Sequence, residues 1–458
     1  MKRPNILLLY TDQQRWDTIG ALGLTGCKTP HLDQLAAEGA LFDHCFVNSP
    51  VCMPSRHSML SGRYAEAFGS FSNGIEMRQD IPCIQHLLQP YGYHTANIGK
   101  LHFRNHAHRD HRDPHPACGF DTLILSDEPG CYDDAFIAWV TAQDPAAVDD
   151  CRCDTPPTCL MSTRLVQSRK ATQPYAFAGP EHLTHSAFVA EETCDFIRRR
   201  GEEPFFAIAG FYAPHCPFNP PQRFLDWYQL EDMPLPKRAE DQGTNLSDDQ
   251  WREVVRHYWA LCSHVDDQVG RILHTLDDCG LRDNTLVVFT SDHGEQLGDH
   301  GRTGKGQAQD ASSRVPLIMR LPGQIPASTR SDAIVEHVDL VPTFLDYAGV
   351  QQPTAMPGIS LRGLFEPQRA TQPPREDAYI ALRKVGGPGY KALRTRDHLY
   401  RLHNDGQESL FDLATDPHQL VDVATEPAQS AALAACRQRL LNRWFDVDSR
   451  EPLPTGAY

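Results

Sequence analysis

The chain of 458 residues lacks any excess of basic charge: 43 Lys and Arg stand against 59 Asp and Glu, a formal net charge of −16. A general binder of nucleic acid or of an anionic membrane carries a basic field, so neither nucleic acid nor membrane is expected as a partner. Long hydrophobic runs are missing too. The first apolar stretch, Ile6-Leu7-Leu8-Leu9-Tyr10-Thr11, is closed by Asp12, too soon for a signal-peptide core and far too soon for a membrane helix. With no export signal seen, the 14 cysteines do not read as the disulfide framework of a small secreted domain, and a cytoplasmic protein with reduced thiols is expected. No internal repeat, heptad run or collagen-like tract is present, which excludes solenoids, coiled coils and fibres. What remains is an ordinary globular composition, 40% hydrophobic, in a chain long enough for one large domain and a smaller one.

Short apolar runs alternate with helix-like segments. Residues 5–11, 95–99, 204–212, 286–291 and 315–321 are rich enough in Val, Ile, Leu or Phe to be strands buried on both faces. Residues 29–39, 251–278 and 339–347 read as helices, the first opened by Thr29-Pro30 and the last closed by Gly349. The alternation predicts an α/β fold, a large mostly parallel sheet sandwiched by helices. After Gly349, proline and polar residues crowd positions 351–375. Beyond them, 378–382, 391–395, 399–402 and 410–413 read as short strands, with Asn404-Asp405-Gly406 as a turn, followed by a helix over 427–445. A smaller C-terminal domain of antiparallel sheet plus helix is therefore expected, giving a catalytic domain over 1–365 and a C-terminal subdomain over 366–458. Residues 143–180, the least regular stretch, are expected to be a surface insertion.

In open α/β sheets, ligands sit beyond the carboxyl ends of the strands. Asp12, Lys100, His215 and Asp292 each fall at or just after such an end. Asp12-Gln13 and Asp292-His293 offer carboxylate, amide and imidazole donors that suit a divalent cation, Ca²⁺, Mg²⁺ or Mn²⁺. Either pair taken singly also serves as an ordinary turn cap after a strand. In Cys52-Met53-Pro54-Ser55-Arg56, Pro54 can start a helix, which puts Cys52 just ahead of a helix N-terminus that favours an anion; Arg56 adds a fixed fork of donors.

Cys52-Met53-Pro54-Ser55-Arg56 followed by Leu60-Ser61-Gly62-Arg63 resembles the signature of type I sulfatases of the alkaline phosphatase superfamily, in which that cysteine is oxidised to formylglycine. Other segments follow in the family's order. Asp12-Gln13 resembles the first metal pair, Gly99-Lys100-Leu101-His102 the paired Lys and His at the sulfate, and Ala213-Pro214-His215 a second active-site histidine. Asp292-His293-Gly294-Glu295 resembles the late metal pair and Gly304-Lys305-Gly306 the second sulfate-binding lysine, while 410–417 is similar to the family's C-terminal strand and turn.

The resemblance implies a catalytic set of Cys52, Arg56, Lys100, His102, His215 and Lys305. It implies that Asn73, Lys100, His102, His215 and Lys305 bind substrate, and that Asp12, Gln13, Cys52, Asp292 and His293 ligate one divalent cation, Ca²⁺ in the first place. The implied reaction is hydrolysis of a sulfate monoester to an alcohol and inorganic sulfate, through a metal-bound formylglycine hydrate and a covalent sulfated enzyme. The implied partners are a small-molecule or saccharide sulfate ester and a formylglycine-generating or anaerobic sulfatase-maturating enzyme, with homo-oligomerisation left open. Gln13 where many sulfatases have a second Asp, His293 where many have Asn, and Asn73 in Phe71-Ser72-Asn73-Gly74 resemble the branch of choline sulfatases and phosphonate monoester hydrolases. Lys100 and His102 favour sulfate, because the phosphonate branch usually lacks that pair. The alternatives are a phosphonate monoester or phosphodiester hydrolase of the same superfamily, and a non-catalytic binding member with unmodified Cys52.

Weaker signals have plainer readings. His106, His108, His111 and His115, among Arg104, Arg109 and Arg112, have no regular ligand spacing and read as a solvated loop. Cys151, Cys153 and Cys159 lack the paired Cys-x-x-Cys elements of a zinc site and read as ordinary thiols. Asp127-Glu128-Pro129-Gly130 with Asp133-Asp134 reads as a solvated acidic loop, the alternative being a selector of cationic or hydroxyl-rich substrates. Gly304-Lys305-Gly306 is no nucleotide P-loop, since no Ser or Thr follows the lysine.

Overall fold

A computed structural model describes residues 3–105, 115–152, 170–201, 203–239, 242–243, 245–352, 356–370 and 372–448. Its strands are β1 (Asn5–Asp12), β2 (Ala40–Phe46), β3 (His94–Gly99), β4 (Thr122–Leu125), β5 (Phe205–Pro214), β6 (Thr285–Ser291), β7 (Arg314–Arg320), β8 (Thr329–Glu336), β9 (Asp377–Arg383), β10 (Gly389–Thr395), β11 (His398–His403) and β12 (Glu408–Asp412). The first eight form one sheet in the order β4-β3-β5-β1-β6-β7-β2-β8. All neighbours in it run parallel except β7, which is antiparallel to both β6 and β2.

Every residue of β1 is buried. Ile6, Leu8 and Tyr10 join one core layer with Met59, Val341 and Phe344, and Leu7 and Leu9 join the other with Phe188, Val265, Val269 and Ile272. A strand covered on both sides has no polar face to show, which is why it reads as a continuous apolar run. The helices of eight or more residues are α1 (Pro30–Ala37), α2 (Cys52–Ser61), α3 (Ala135–Gln143), α4 (His185–Arg198), α5 (Asp248–Asp278), α6 (Leu340–Ala348) and α7 (Ser430–Asp448). The layer of α1, α3, α4 and α5 covers one face of the sheet, and α2 and α6 pack on the other. Helix α5 starts three residues before the apolar pattern does because Ser247 and Gln250 cap it reciprocally: the Ser247 hydroxyl accepts the Gln250 N–H, and the Gln250 amide oxygen accepts the Ser247 N–H.

Strands β9 to β12 form a separate antiparallel sheet in the order β12-β11-β10-β9, with Leu433, Cys436 and Leu440 of α7 packed against Tyr379, Leu393 and Tyr400. Polar groups bolt it to the large sheet. The Asn48 side chain donates to Tyr379 O (3.0 Å), and the Asn48 backbone carbonyl accepts the Ala381 N–H (2.9 Å). Buried Glu336, at the end of β8, accepts from the Tyr64 hydroxyl (2.7 Å), Arg443 (2.6 Å) and the Tyr379 N–H (2.5 Å). Among the described residues no helix is long and apolar enough to cross a membrane.

Within the stretch expected to be a surface insertion, Ala147 and Cys151 instead belong to the core layer beneath α3 and α4. Cys153 and Cys159 lie outside the described residues, as do His106, His108 and His111.

Candidate active site

The chemistry-bearing residues meet beyond the carboxyl ends of β1, β3, β5 and β6. The register of β1 against β5 shifts between Tyr10 and Asp12, so that Asp12 pairs with Pro214 and His215 follows directly. Gly99 of β3 lies opposite Gly210 of β5. A Cβ on Gly99 would stand 2.2 Å from Gly210 O, and one on Gly210 would stand 2.2 Å from Lys100 O. Glycine at both positions lets the strands close in, the Lys100 N–H donating to Gly210 O at 2.7 Å, and delivers the lysine into the site.

Helix α2 is buried along its whole length and carries Cys52 as its first residue. The sequence put the helix start at Pro54; the helix begins two residues earlier, with Pro54 third, where its missing N–H would have no partner inside the helix anyway. Val51 offers no side-chain cap. Instead the Asn73 side-chain oxygen accepts the Met53 N–H at 3.0 Å. Asn73 therefore holds the helix N-terminus.

Asp12, Cys52, Asp292 and His293 each present a ligand atom, all within 4.8 Å of one another. The Cys52 Sγ is 3.3 Å from His293 Nε2 and 3.9 Å from Asp12 Oδ1, and Lys305 Nζ donates to it at 2.8 Å. Lys100 Nζ is 2.6 Å from Asp12 Oδ2 and 4.8 Å over the Tyr212 ring. Arg56 lies over Tyr10 and donates from Nε to Asp292 Oδ2 (2.8 Å) and from Nη1 to Lys100 O (3.1 Å). The Gln13 N–H donates to Asp292 Oδ1 at 3.0 Å, from a left-handed backbone at φ 69°. Its side-chain amide donates to Glu295, which also accepts the N–H groups of Leu297 and Gly304, and the Gln13 Oε1 is buried without a hydrogen-bond partner.

These residues fit a hard divalent cation. Two carboxylates, an imidazole and the sulfur of Cys52, the one soft donor among them, converge, and the neighbouring Gln13 leaves a buried amide oxygen without a hydrogen-bond partner. Burial alone would raise the Asp12 pKa, but Lys100, His215, Lys305 and His293 outweigh it and hold the carboxyl well below its usual range. Burial pushes His293 down to about 4 against the pull of Asp292, so the ring is neutral at neutral pH. Its Nδ1 lies 2.9 Å from Gly294 O, and a proton there leaves the Nε2 lone pair toward Cys52. Burial would discharge both lysines, yet Asp12 beside Lys100, and Cys52 and Asp12 beside Lys305, keep them protonated and their pKa values raised.

His215 has Nδ1 2.7 Å from Cys216 O and its ring against Tyr212. His102, nearly buried, sits in a left-handed conformation (φ 57°) fixed by Asp127, whose Oδ1 accepts the N–H groups of Leu101 (2.7 Å) and His102 (2.8 Å). This corrects the solvated acidic loop. Asp127 is fully buried, Glu128 is 4.0 Å from Lys100, and Asp134 caps α3 through the Ile137 N–H. Asp127 follows the end of β4 as Asp12 ends β1, a signal that recognition of β4 would have supplied. His115 has Nδ1 within 2.7 Å of its neighbour Pro116 O. A separate cavity of about 160 Å³ lies under the second sheet, lined in part by Tyr64, Glu66, Tyr390, Lys391 and Trp444; none of the cation-site residues lines it.

Known proteins resemble the chain over most of its length. The family described as "Sulfatase" matches residues 4–350, and "N-sulphoglucosamine sulphohydrolase, C-terminal" matches residues 298–444. An arylsulfatase of Clostridium perfringens is 28% identical, the match covering 98% of this chain and 95% of the relative. A choline-sulfatase of Rhizobium meliloti is 26% identical over 98% of this chain and 88% of its own. The crystal structure of a phosphonate monoester hydrolase of Agrobacterium radiobacter superimposes with a TM-score of 0.84 at 24% identity, covering 97% of this chain and 96% of that one, a likeness of fold.

Proposed function

The chain belongs to the sulfatase family of sulfuric ester hydrolases, and we propose that it cleaves a sulfate monoester into an alcohol and inorganic sulfate with residue 52 acting as formylglycine. The observation that carries this reading is the company of Cys52, the first residue of a buried helix, held against Lys305, His293 and Asp12. When present, formylglycine as its hydrate supplies one hydroxyl to take the sulfuryl group and a second to expel it, and a divalent cation, Ca²⁺ for this donor set, lowers the pKa of the attacking hydroxyl. Asp12, Gln13, Asp292 and His293 would hold the cation together with position 52.

The other roles fall to side chains already in place. Lys100 and Lys305 offset negative charge on the sulfate oxygens as the bond from sulfur to the alcohol oxygen breaks. Arg56 fixes Asp292 and the loop of Lys100, and Asn73 fixes the helix turn that bears residue 52. His215, with Nδ1 turned to Cys216 O, delivers a proton from Nε2 to the departing alkoxide, so the alcohol leaves neutral. His102 then takes the proton of the remaining hydroxyl. With formylglycine present, that proton removal would supply the push that releases inorganic sulfate. All of these residues fall within the proposed catalytic domain, 1–365, and residues 366–458 are the proposed C-terminal subdomain.

The substrate is a small-molecule or saccharide sulfate, and a maturating enzyme converts Cys52. The similarity to an arylsulfatase supports sulfate as the group transferred. The test is a side-by-side assay of 4-nitrophenyl sulfate and a matched 4-nitrophenyl phosphonate monoester. A larger kcat/KM for the sulfate, with multiple turnover abolished in Cys52→Ser, is expected; preference for the phosphonate would transfer the chain to the rival activity.

A further inference from the structure

Lys305 reaches Cys52 from a loop whose flanking residues, Gly304 and Gly306, both take left-handed backbones (φ 83° and 91°) and have no side chain to pack. Backbone hydrogen bonds therefore place the loop. Gly304 is tied to Glu295 and Gln296 on one side. On the other, Ser312, fully buried in the helical turn Asp310–Ser313, collects the bonds. Its Oγ accepts the N–H groups of Gly306 (3.0 Å) and Gln307 (3.3 Å), and its backbone O accepts the N–H of Gly294 (2.8 Å), the neighbour of His293. The Gly306 N–H also lies 2.9 Å from Pro50 O, two residues before Cys52. One buried turn thus spans the loop of Lys305 and the segment that bears His293.

That turn is gripped from the C-terminal sheet. Both oxygens of Asp310 accept from Arg394 of β10 (Nε 2.8 Å, Nη2 3.0 Å), and Arg394 also lies over the Phe46 ring. Gln419 pairs with Asp310 twice, its Nε2 donating to Oδ1 (2.7 Å) and its Oε1 accepting the Asp310 N–H (2.9 Å). Gln419 makes these bonds from a left-handed backbone (φ 58°), which a residue with a Cβ keeps only when its surroundings hold it. Burial alone would raise the Asp310 pKa, but Arg394 and Arg314 outweigh it and hold the carboxyl well below its usual range. A buried ion pair gives little net stability over apolar side chains of the same volume, whereas a guanidinium fork on both carboxylate oxygens fixes direction as well as distance. Such a contact serves placement more than strength. We infer that Asp310 and Arg394, braced by Gln419, are positioning residues: through the turn that bears Ser312, the C-terminal sheet sets where the Lys305 ammonium stands against residue 52. The inference rests on the sulfatase reading, which gives Lys305 its part in the reaction.

The test is a double-mutant cycle on the matured full chain, with kcat/KM for 4-nitrophenyl sulfate normalised to the formylglycine fraction. Arg394→Met and Ser312→Ala are each made in the wild type and in Lys305→Ala. In the wild type each is expected to lower kcat/KM by about tenfold or more, because a small misplacement of a catalytic group is costly. In Lys305→Ala each is expected to cost no more than about twofold, since the lysine they place is gone. If Lys305→Ala turns over too slowly to measure, the affinity for inorganic sulfate, read by calorimetry, takes the place of kcat/KM with the same expected pattern. Melting temperatures report folding, and Ser312→Ala carries the test if Arg394→Met does not fold. Equal losses in the two backgrounds, or an unchanged kcat/KM in the folded variants, overturn the inference and leave the sulfatase reading standing. Absence of sulfate ester turnover by the matured wild type overturns both.

Discussion

Cys52 differs from the other described cysteines in its company, not its burial. Cys45, Cys83 and Cys262 are equally enclosed, and burial holds their thiols well above the ordinary range. Cys52 instead faces an ammonium, an imidazole and a carboxylate. At this scale Asp127 is the residue the motifs did not announce. It touches no reacting atom and positions His102 and, through the same loop, Lys100. Asp127→Ala is expected to lower kcat by about a hundredfold with a smaller change in KM, because small misplacements of catalytic groups are costly. Asp127→Asn, which keeps an acceptor oxygen, should recover much of the loss; steady-state kinetics of the two variants check this, and equal loss in both would argue for a purely structural role. His215→Ala is expected to slow alkyl sulfates far more than 4-nitrophenyl sulfate, whose leaving group needs little protonation. Rates across a series of leaving groups measure that difference, and a uniform loss would remove His215 from the acid role.

The elements show which parts of the fold were legible. Strands β1, β3, β5, β6 and β7 announce themselves because burial on both faces makes them apolar runs. Strand β2 hides because Asp43 and His44 interrupt it where it is only half-buried, and β8 because, as an edge strand, its first residues alternate between partial and full exposure. With only four half-buried residues, β4 gives too short a signal, and the structural role of Asp127 was lost with it. The site was legible through residues that end strands or open α2, since those positions also carry sequence motifs; the hold of Glu295 on Gln13 was not, since it exists only once the loop folds back. The close approach of β3 and β5 gives an element-scale test. Gly210→Ala places a Cβ against Lys100 O and is expected to cost about 1–3 kcal/mol and most of the activity, whereas Gly201→Ala, whose Cβ meets nothing within 4 Å, should leave both unchanged. Thermal denaturation alongside turnover reads the contrast.

Taken as a whole, an acidic molecule keeps its cations at the site. The net charge of −16 is distributed over the chain, while Lys305 donates to Cys52, and Arg56 and Lys100 are held beside it by Asp292 and Asp12. Buried histidines set the molecule's response to acid. His57, His185, His264 and His337 are each held down to about 3 by burial. Below pH ~6.5 the unfolded chain takes up protons at these positions and the folded chain does not, so stability falls as pH drops from there toward about 3. Each group contributes up to about 1.4 kcal/mol per pH unit across that window. Melting temperatures measured from pH 7 to pH 5 should therefore decline steeply, and His337→Gln or His264→Gln should flatten the decline; a flat profile in the wild type would contradict the buried, neutral assignment.

Turnover by the proposed route requires that residue 52 not remain a cysteine in the active enzyme. Peptide mass spectrometry of residue 52, on protein purified from its native cell and assayed for sulfate ester turnover in the same preparation, tests it most directly. Formylglycine is expected at that position, in a fraction that scales with specific activity. An unmodified cysteine in fully active protein would contradict it.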